Sequence, residues 1–500
     1  MNSIIKNLEK DTSIFIIVFL TLLYLLFPTS NSTIDGYFYG YSIKWGEELF
    51  APHHLLYNFT YYIFYRFYTF FGVNTDALQF SKYLNALAGG GILLVLQRIF
   101  KHYGLNNMRI SVLIFFTGSS FGIARFATEN ETYILPILIS LTGFLYLLKW
   151  EKDSSTKNIL VCSFLNCFAC LYHQIHFFWW LGVLVSVVIH HKELKSSFKF
   201  IAIYSITAVI VPIIYYIVFF FQSTSTNNAI SFLKFVFHDF VQGNVDSDFG
   251  FKNIVLGIIN FVRTFYQIHG KMYYLIKSYP FLILIVIIVL FLFYKICFPF
   301  QKISFKTRQK LSLSAMLIIG LLQFLFAIYA VGNAEFMVLF PVIIAIIFSF
   351  TDFPSFKLSL ISFSMLLWNF FLGVIPDSFI NFSNTPFLVK YISEHQNIDF
   401  VLTNAIHLSN IFYYQKHYYP NNIFKLSEKN IISLDSIIHN SIINHRIICT
   451  DFINNKEAIS RESILRNEKM TMFFKKYKVS KLDSFSTFYG TRKLYQIDEY

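Results

Sequence analysis

Long apolar runs, interrupted by short polar breaks, recur from residue 13 to residue 375. A bilayer core takes roughly 20 consecutive apolar residues per helix, with short spans near 17. By that measure the runs predict eleven spans, at 13–28, 82–100, 110–126, 132–148, 158–174, 176–190, 199–221, 279–298, 312–331, 334–350 and 356–375. The first run has no small-residue cleavage site after it, so it reads as a retained helix and not a removed signal peptide. Composition agrees. Hydrophobic residues make up 55% of the chain and charged residues only 14%, which is more apolar surface than a soluble fold of 500 residues hides.

Charge divides the connecting loops into two sets. One set holds Lys6 and Lys10, then Arg98, Lys101 and Arg109, then Lys149, Lys152 and Lys157, then Lys192, Lys195 and Lys199, and finally Lys295, Lys302, Lys306, Arg308 and Lys310. The opposite short loops at 127–131, 173–176 and 331–335 hold no Lys or Arg. Lys/Arg-rich loops stay in the cytoplasm, so the N-terminus is expected inside and, after an odd number of spans, the C-terminus outside. Much of the net charge of +13 is therefore a topology signal. No concentrated basic face is present, which argues against nucleic acid as a partner.

On this orientation the ionisable residues gather on the outer face. The first outer loop, 29–81, holds Asp35, Glu47, Glu48, His53 and His54. The second holds Arg125, Glu129 and Glu131, and the third His173 and His176. The long loop 222–278 holds His238, Asp239, Asp246, Asp248, Arg263, His269 and Lys271. A transporter is expected to place such groups at mid-bilayer depth. Here the middles of the helices are almost free of charge, as expected of an enzyme that works at one membrane surface. The segment 55–71, dense in Tyr and Phe, reads as a helix lying in the interface, where phenolic rings sit in acyl chains with wet hydroxyls. His53 and His54 stand at its start.

The order and shared sidedness of several motifs resemble the GT-C membrane glycosyltransferases of the protein-mannosyltransferase and aminoarabinose-transferase type. They are Asp35-Gly36-Tyr37 just after the first span, Pro52-His53-His54-Leu55-Leu56-Tyr57, the turn from Arg125 through Glu129, Glu131 and Tyr133, Tyr172-His173-Gln174 leading into a further helix, and Ala334-Glu335 ahead of Pro341. One departure is plain: many members carry two adjacent acidic residues in the first loop, whereas Gly36 follows Asp35 here. The resemblance implies a polytopic helical bundle over 1–375. It also implies inverting transfer of a sugar from a polyprenyl-phosphate carrier to a glycan, glycolipid or protein acceptor.

Inverting transfer needs a base for the acceptor hydroxyl and cations around the departing phosphate. Asp35 is the expected base; its alternative role is to cap the following helix or turn. Arg125 is the first choice for the phosphate, with Arg263 and Lys271 behind it, against a plain snorkelling role for Arg125. Glu129 and Glu131 are expected to assist Asp35, hold a sugar hydroxyl or bind metal, or else to be solvated loop charges. His53 and His54 would contact phosphate when protonated or a divalent metal ion when neutral. His173 would join them, or, with His176, make structural hydrogen bonds.

After residue 376 the apolar runs stop. Short strands are expected at 399–403, 423–426 and 446–450, with helices near 386–395, 405–416 and 458–475, making a small extracytoplasmic α/β domain over 376–500. Its one cysteine, Cys449, cannot form an internal disulfide, which fits a bacterial plasma membrane better than a secretory lumen. The reading is therefore a mainly α membrane glycosyltransferase. A polysaccharide polymerase or ligase, and a lipid-linked-sugar flippase, stand as alternatives.

Overall fold

The computed structural model describes residues 2–190, 194–222, 228–238, 249–298, 303–305, 309–383, 385–426, 431–451 and 472–498. Asp239, Asp246, Asp248 and most of the helix expected at 458–475 lie outside the described residues. Each of the eleven apolar runs forms helix. Five helices are long and apolar enough to cross a membrane by themselves: Ala77–His102, Ile134–Asp153, Phe198–Gln222, Lys310–Tyr329 and Ser355–Phe379. The chain is thus an integral, multi-pass membrane protein.

The run at 110–126 is not one straight helix. Asn107–Ser119 and Phe121–Ala127 meet at 64°. Ser120 adopts an extended ψ of 143°, and its hydroxyl donates to the Thr117 carbonyl at 2.6 Å. The neighbouring Ser119 carbonyl accepts from Asn369 Nδ2 at 2.8 Å. Polar side chains thereby satisfy carbonyls that the helix would otherwise use, which is how a helix breaks cheaply inside a bundle.

The bundle closes around the first helix, Asn2–Leu26, which packs on Ala77–His102 and Asn107–Ser119. Small residues let the backbones approach. A Cβ added at Gly90 would sit 2.4 Å from Thr21 Oγ1, so no side chain fits there. At the opposite end from Asp35, Arg109 donates to the carbonyls of Phe348 (2.7 Å), in the last turn of the helix Phe340–Ser349, and Phe353 (2.6 Å), just past it. A cation at a helix C-terminus is favoured by the exposed carbonyls there.

Two helices precede the second span. Ile34–Trp45 is capped by Thr33 and ends on Gly46, at φ +77°. Tyr57–Phe70 buries Tyr57, Asn58 and Tyr61 and exposes Ile63, Phe64, Phe67 and Phe70.

The C-terminal part builds a five-stranded sheet from β1 (Ile398–Leu402), β2 (Ile423–Lys425), β3 (Ile447–Thr450), β4 (Lys478–Thr487) and β5 (Gly490–Asp498). The order is β2-β1-β3-β5-β4, with β1 parallel to β2 and β3, and β5 antiparallel to β3 and β4. Alternation along β1 sends Phe400 and Leu402 into one core with Leu408 and Phe412, and Val401 into another with Leu434 and Ile438. The hairpin β4–β5 and the helix Ile431–Ile443 were not expected from the sequence. β4 is mostly polar and exposed and carries a bulge between Lys481 and Asp483, so it shows little of a strand's apolar alternation.

This sheet unit docks on the helix that carries Asp35. Asn410 Nδ2 donates to the Ile34 carbonyl (3.1 Å), Lys44 Nζ to the Tyr414 carbonyl (2.8 Å) and Trp45 Nε1 to the Tyr413 carbonyl (2.9 Å). The His417 ring stacks on Trp45 at 4.4 Å.

Candidate active site

Asp35 lies in the first turn of Ile34–Trp45 and is exposed. The cap is Thr33, whose Oγ1 accepts from the Gly36 amide at 2.8 Å, so Asp35 is not the capping residue. The start of the helix is pinned to the turn 128–133. Thr33 Oγ1 donates to Glu131 Oε1 (2.5 Å), Asn130 Nδ2 to the Gly36 carbonyl (2.9 Å) and the Thr29 amide to the Thr128 carbonyl (3.0 Å). Asp35, Glu129 and Glu131 are thus brought to one end of the bundle.

Asp35 stands at the polar end of a cavity of about 760 Å³. Tyr39, His53, His54, Tyr133, His173 and Glu335 surround that end, while Phe177, Trp180, Val211, Phe232 and Phe326 line the rest. The histidine rings cluster: His53 to His54 at 4.1 Å and His54 to His173 at 4.4 Å between centroids. Burial, with the neighbouring imidazoles, holds His54 and His173 well below the ordinary histidine range, so both are neutral. His173 Nδ1 accepts from the Ile175 amide (3.3 Å), which fixes the proton on Nε2 and leaves an N–H donor there. As neutral rings, His54 and His173 would offer hydrogen bonds and not charge. His176 makes a structural hydrogen bond of the kind expected, from Nδ1 to Ser140 Oγ at 2.7 Å. Among the described residues, no three His, Cys, Asp or Glu side chains converge in a way that would hold a metal ion.

Asp35 has no acidic neighbour in sequence, but the fold supplies acids from elsewhere. Burial pushes the Glu131 carboxyl well above the usual range, and Glu335, Asp35 and Glu129 push it further. Glu335 accepts from the Tyr133 hydroxyl at 3.0 Å. Glu335 was no more than part of a motif in the sequence; with no acid or imidazole beside it in the chain, nothing marked it as part of a cluster.

Arg125 does not face the cavity of Asp35. It lines a second cavity of about 220 Å³ with Glu129, Arg263, Gln267, Lys271 and Asp377. The bend at Ser120 re-aims the short helix that carries Arg125, and no sequence pattern announced that bend. Lys271 pairs with Asp377. Burial lowers Lys271, Asp377 draws it back up, and Arg125 and Arg263 lower it again. His269 is brought down to about 4 by burial and then by Lys271, Arg263 and Arg125. Three cations thus line this small polar space together with the carboxyls of Asp377, which pairs with Lys271, and Glu129. Glu129, also raised by burial and drawn back by Lys82 and Arg125, lines this second cavity.

No family model and no curated protein sequence matches the chain. Among solved structures it is similar to ArnT from Cupriavidus metallidurans bound to undecaprenyl phosphate, with a TM-score of 0.55, 9% identity and 97% of each chain covered. It is also similar to the Archaeoglobus fulgidus oligosaccharyltransferase tethered with an acceptor peptide, with a TM-score of 0.50, 10% identity, and 97% of this chain and 74% of that one covered. At such identity the likeness is one of fold alone: this chain shares the fold of these two solved structures.

Proposed function

We propose that the protein is a glycosyltransferase that moves one sugar from a polyprenyl-phosphate carrier to an acceptor outside the cytoplasm, with inversion and with Asp35 as the base. The observation that carries this reading is the pairing of two cavities across the turn 129–131: one long, apolar and ended by an accessible carboxylate, the other small and cationic. A lipid-phosphate reaction needs both kinds of space. The similar solved structures were obtained with undecaprenyl phosphate in one case and an acceptor peptide in the other, which fits substrates of this kind.

In the reaction, the Asp35 carboxylate takes the proton of the acceptor hydroxyl as that oxygen bonds to the anomeric carbon. The bond from that carbon to the carrier phosphate breaks, and its electron pair leaves with the phosphate. Arg125, Arg263 and Lys271 meet the charge that develops there, from positions fixed before the reaction begins. The neutral His173, with its proton on Nε2, offers a hydrogen bond without adding charge. Glu131, its carboxyl raised well above the usual range by burial, orients the Asp35 helix through Thr33.

The apolar runs support eleven spans, the loop charges an N-terminus in the cytoplasm and a C-terminus outside, and the lone Cys449 of the C-terminal unit a bacterial plasma membrane. Five helices and one bent pair are long and apolar enough to cross by themselves; the reading counts as further spans five of the six shorter apolar helices, Thr12–Leu26, Thr156–Tyr172, Gln174–Ile189, Leu282–Cys297 and Glu335–Ser349, and leaves out Ile431–Ile443. Residues 1–375 then form the membrane part and 376–500 an outer unit seated on the Asp35 helix. The test is Asp35→Asn in the full-length protein: release of undecaprenyl phosphate from its sugar-loaded form should collapse, and unchanged release would remove Asp35 from the chemistry.

A further inference from the structure

The helix Phe251–Phe265 lies in the stretch 222–278, which reads from the sequence as one long outer loop, yet its amphipathicity is inverted for water. Its buried face is Asn253, Gly257, Asn260 and Thr264, all polar or small. Its outward face is Ile254, Val255, Ile258, Ile259 and Val262, each 38–54% exposed. A helix on a water-facing surface turns its apolar stripe to the core and its polar side outward. Here the polar side serves the bundle. Asn260 Nδ2 donates to the Gly332 carbonyl at 2.5 Å, and a Cβ added at Gly257 would sit 2.9 Å from Ile328 Cγ1. Small and amide-bearing residues at the contact, with aliphatic ones outside, are how helices associate within hydrocarbon.

Hydrogen bonds set how deep the helix reaches. Gly257 lies against Gly332, in the turn 331–335 at the Asp35 end of the bundle. The Phe265 carbonyl accepts from Asn369 Nδ2 at 2.7 Å, and the Tyr266 hydroxyl meets Ser364 Oγ at 2.6 Å. Asn369 and Ser364 belong to the 25-residue membrane helix Ser355–Phe379. Its Phe379 end is the Asp35 end, since the Asp377 carbonyl accepts from the Ser30 amide at 2.8 Å. At about 1.5 Å per residue, Asn369 is about 15 Å and Ser364 about 22 Å below that end, within a hydrocarbon layer about 30 Å thick.

The chain then returns to the side it came from. A few residues after Tyr266, Lys271 pairs with Asp377. The 15 residues of Phe251–Phe265 are too few to cross, so the helix enters and the segment after it climbs back. Irregular backbone at that depth must be satisfied by protein, and it is: the Gln267 amide donates to Asn369 Oδ1 (2.9 Å) and its carbonyl accepts from Trp368 Nε1 (2.8 Å). The neighbouring membrane helix Leu282–Cys297, which Tyr266 touches through Phe293 at 5.3 Å, exposes Leu284, Ile287 and Leu290 in the same way.

We propose that Phe251–Phe265 is a re-entrant membrane helix whose aliphatic face, from Ile254 to Val262, is a docking surface for the acyl chains of bilayer lipids. Its depth beside two membrane helices favours hydrocarbon over water as the occupant. Arg263 is carried by the same helix and lines the cationic cavity, so one wall of that cavity has lipid on its far side. The inference stands apart from the role of Asp35.

The experiment uses the full chain in nanodiscs, with its five native cysteines replaced by alanine. Val255→Cys, Ile258→Cys and Val262→Cys each carry a nitroxide, whose collisions with molecular oxygen and with a water-soluble nickel chelate are measured. Leu321→Cys, on the exposed side of the membrane helix Lys310–Tyr329, is the lipid reference, and Lys481→Cys, exposed on β4, the water reference. Oxygen collisions should be frequent and nickel collisions rare at all three sites, and the oxygen-to-nickel ratio should rise from 255 to 262 towards that at 321. Nickel collisions at 258 and 262 as frequent as at 481 would place the helix in water and overturn the proposal. Rare collisions with both reagents would mean that a second copy of the chain covers the face, and would overturn it too. A label-free arm uses Ile258→Trp in the otherwise native chain: lipids brominated on their acyl chains should quench its added emission, and emission left unquenched contradicts lipid contact.

Discussion

The Thr33 hydroxyl, which caps the helix carrying Asp35, donates a 2.5 Å hydrogen bond to Glu131 Oε1. One side chain thus ties the position of Asp35 to a buried acid on a turn far away in sequence. Thr33→Ala should cost about 1 kcal/mol of stability, the usual worth of a helix N-cap. It should also lower kcat more than it raises KM for the carrier, and Thr33→Ser should restore both. Melting curves and turnover on the three proteins check this; equal kcat across them would detach the cap from the site.

Glu131 should make stability fall as pH rises. Unfolded, it titrates near 4.5; folded, burial and the acids Glu335, Asp35 and Glu129 raise it well above that. Between those two values the folded chain binds the extra proton, so unfolding becomes easier with increasing pH. Glu131→Gln mimics the protonated form. Its stability relative to wild type should grow steadily from about pH 5 upward, and a difference that does not change with pH contradicts the assignment. Turnover of Glu131→Gln should stay near wild type, whereas Glu131→Ala, which loses the Thr33 contact, should be impaired.

The buried imidazoles act in the opposite sense on the acid side. His54 and His173 titrate near 6.5 when unfolded and well below it when folded. As pH drops through 6.5 the unfolded chain takes up protons that the folded chain refuses, so stability falls. The double variant His54→Gln with His173→Gln should flatten this acid limb in a melting series from pH 7 to pH 5. A limb unchanged in the variant would place the titration elsewhere.

The C-terminal sheet unit should matter to turnover. Asn410→Leu leaves the Ile34 carbonyl without its 3.1 Å hydrogen bond, one residue before Asp35. The expected result is a several-fold drop in kcat with carrier KM unchanged. A rise in KM alone would mean that the unit contacts substrate and does not position the base.

The membrane helices were legible because each needs a long, nearly uncharged run, and such runs announce themselves in any chain. β1, β2 and β3 were legible for a similar reason, as short β-branched and aromatic stretches between turns. The helix Ile34–Trp45 was not, since Gly36 and Gly40 lower its local propensity and its stability comes from Thr33 and from the helix Ala405–Lys416 packed on it. Asp35 was visible as an acid beyond the first span. Its acidic company was not, because Glu131 and Glu335 meet it only in three dimensions. The division between two cavities was invisible for a different reason: it depends on a bend at Ser120, and a serine inside an apolar run carries no mark of whether it will bend the helix.

The most direct measurement places the full-length protein in proteoliposomes loaded with radiolabelled undecaprenyl-phosphate sugar and an extract of envelope acceptors. Wild type should consume the carrier-linked sugar and release undecaprenyl phosphate, and Asp35→Asn should do so about 10²- to 10⁴-fold more slowly, the range a general base supplies. Consumption at the wild-type rate by Asp35→Asn, or a wild type that moves the labelled lipid across the bilayer without ever consuming it, would contradict the account.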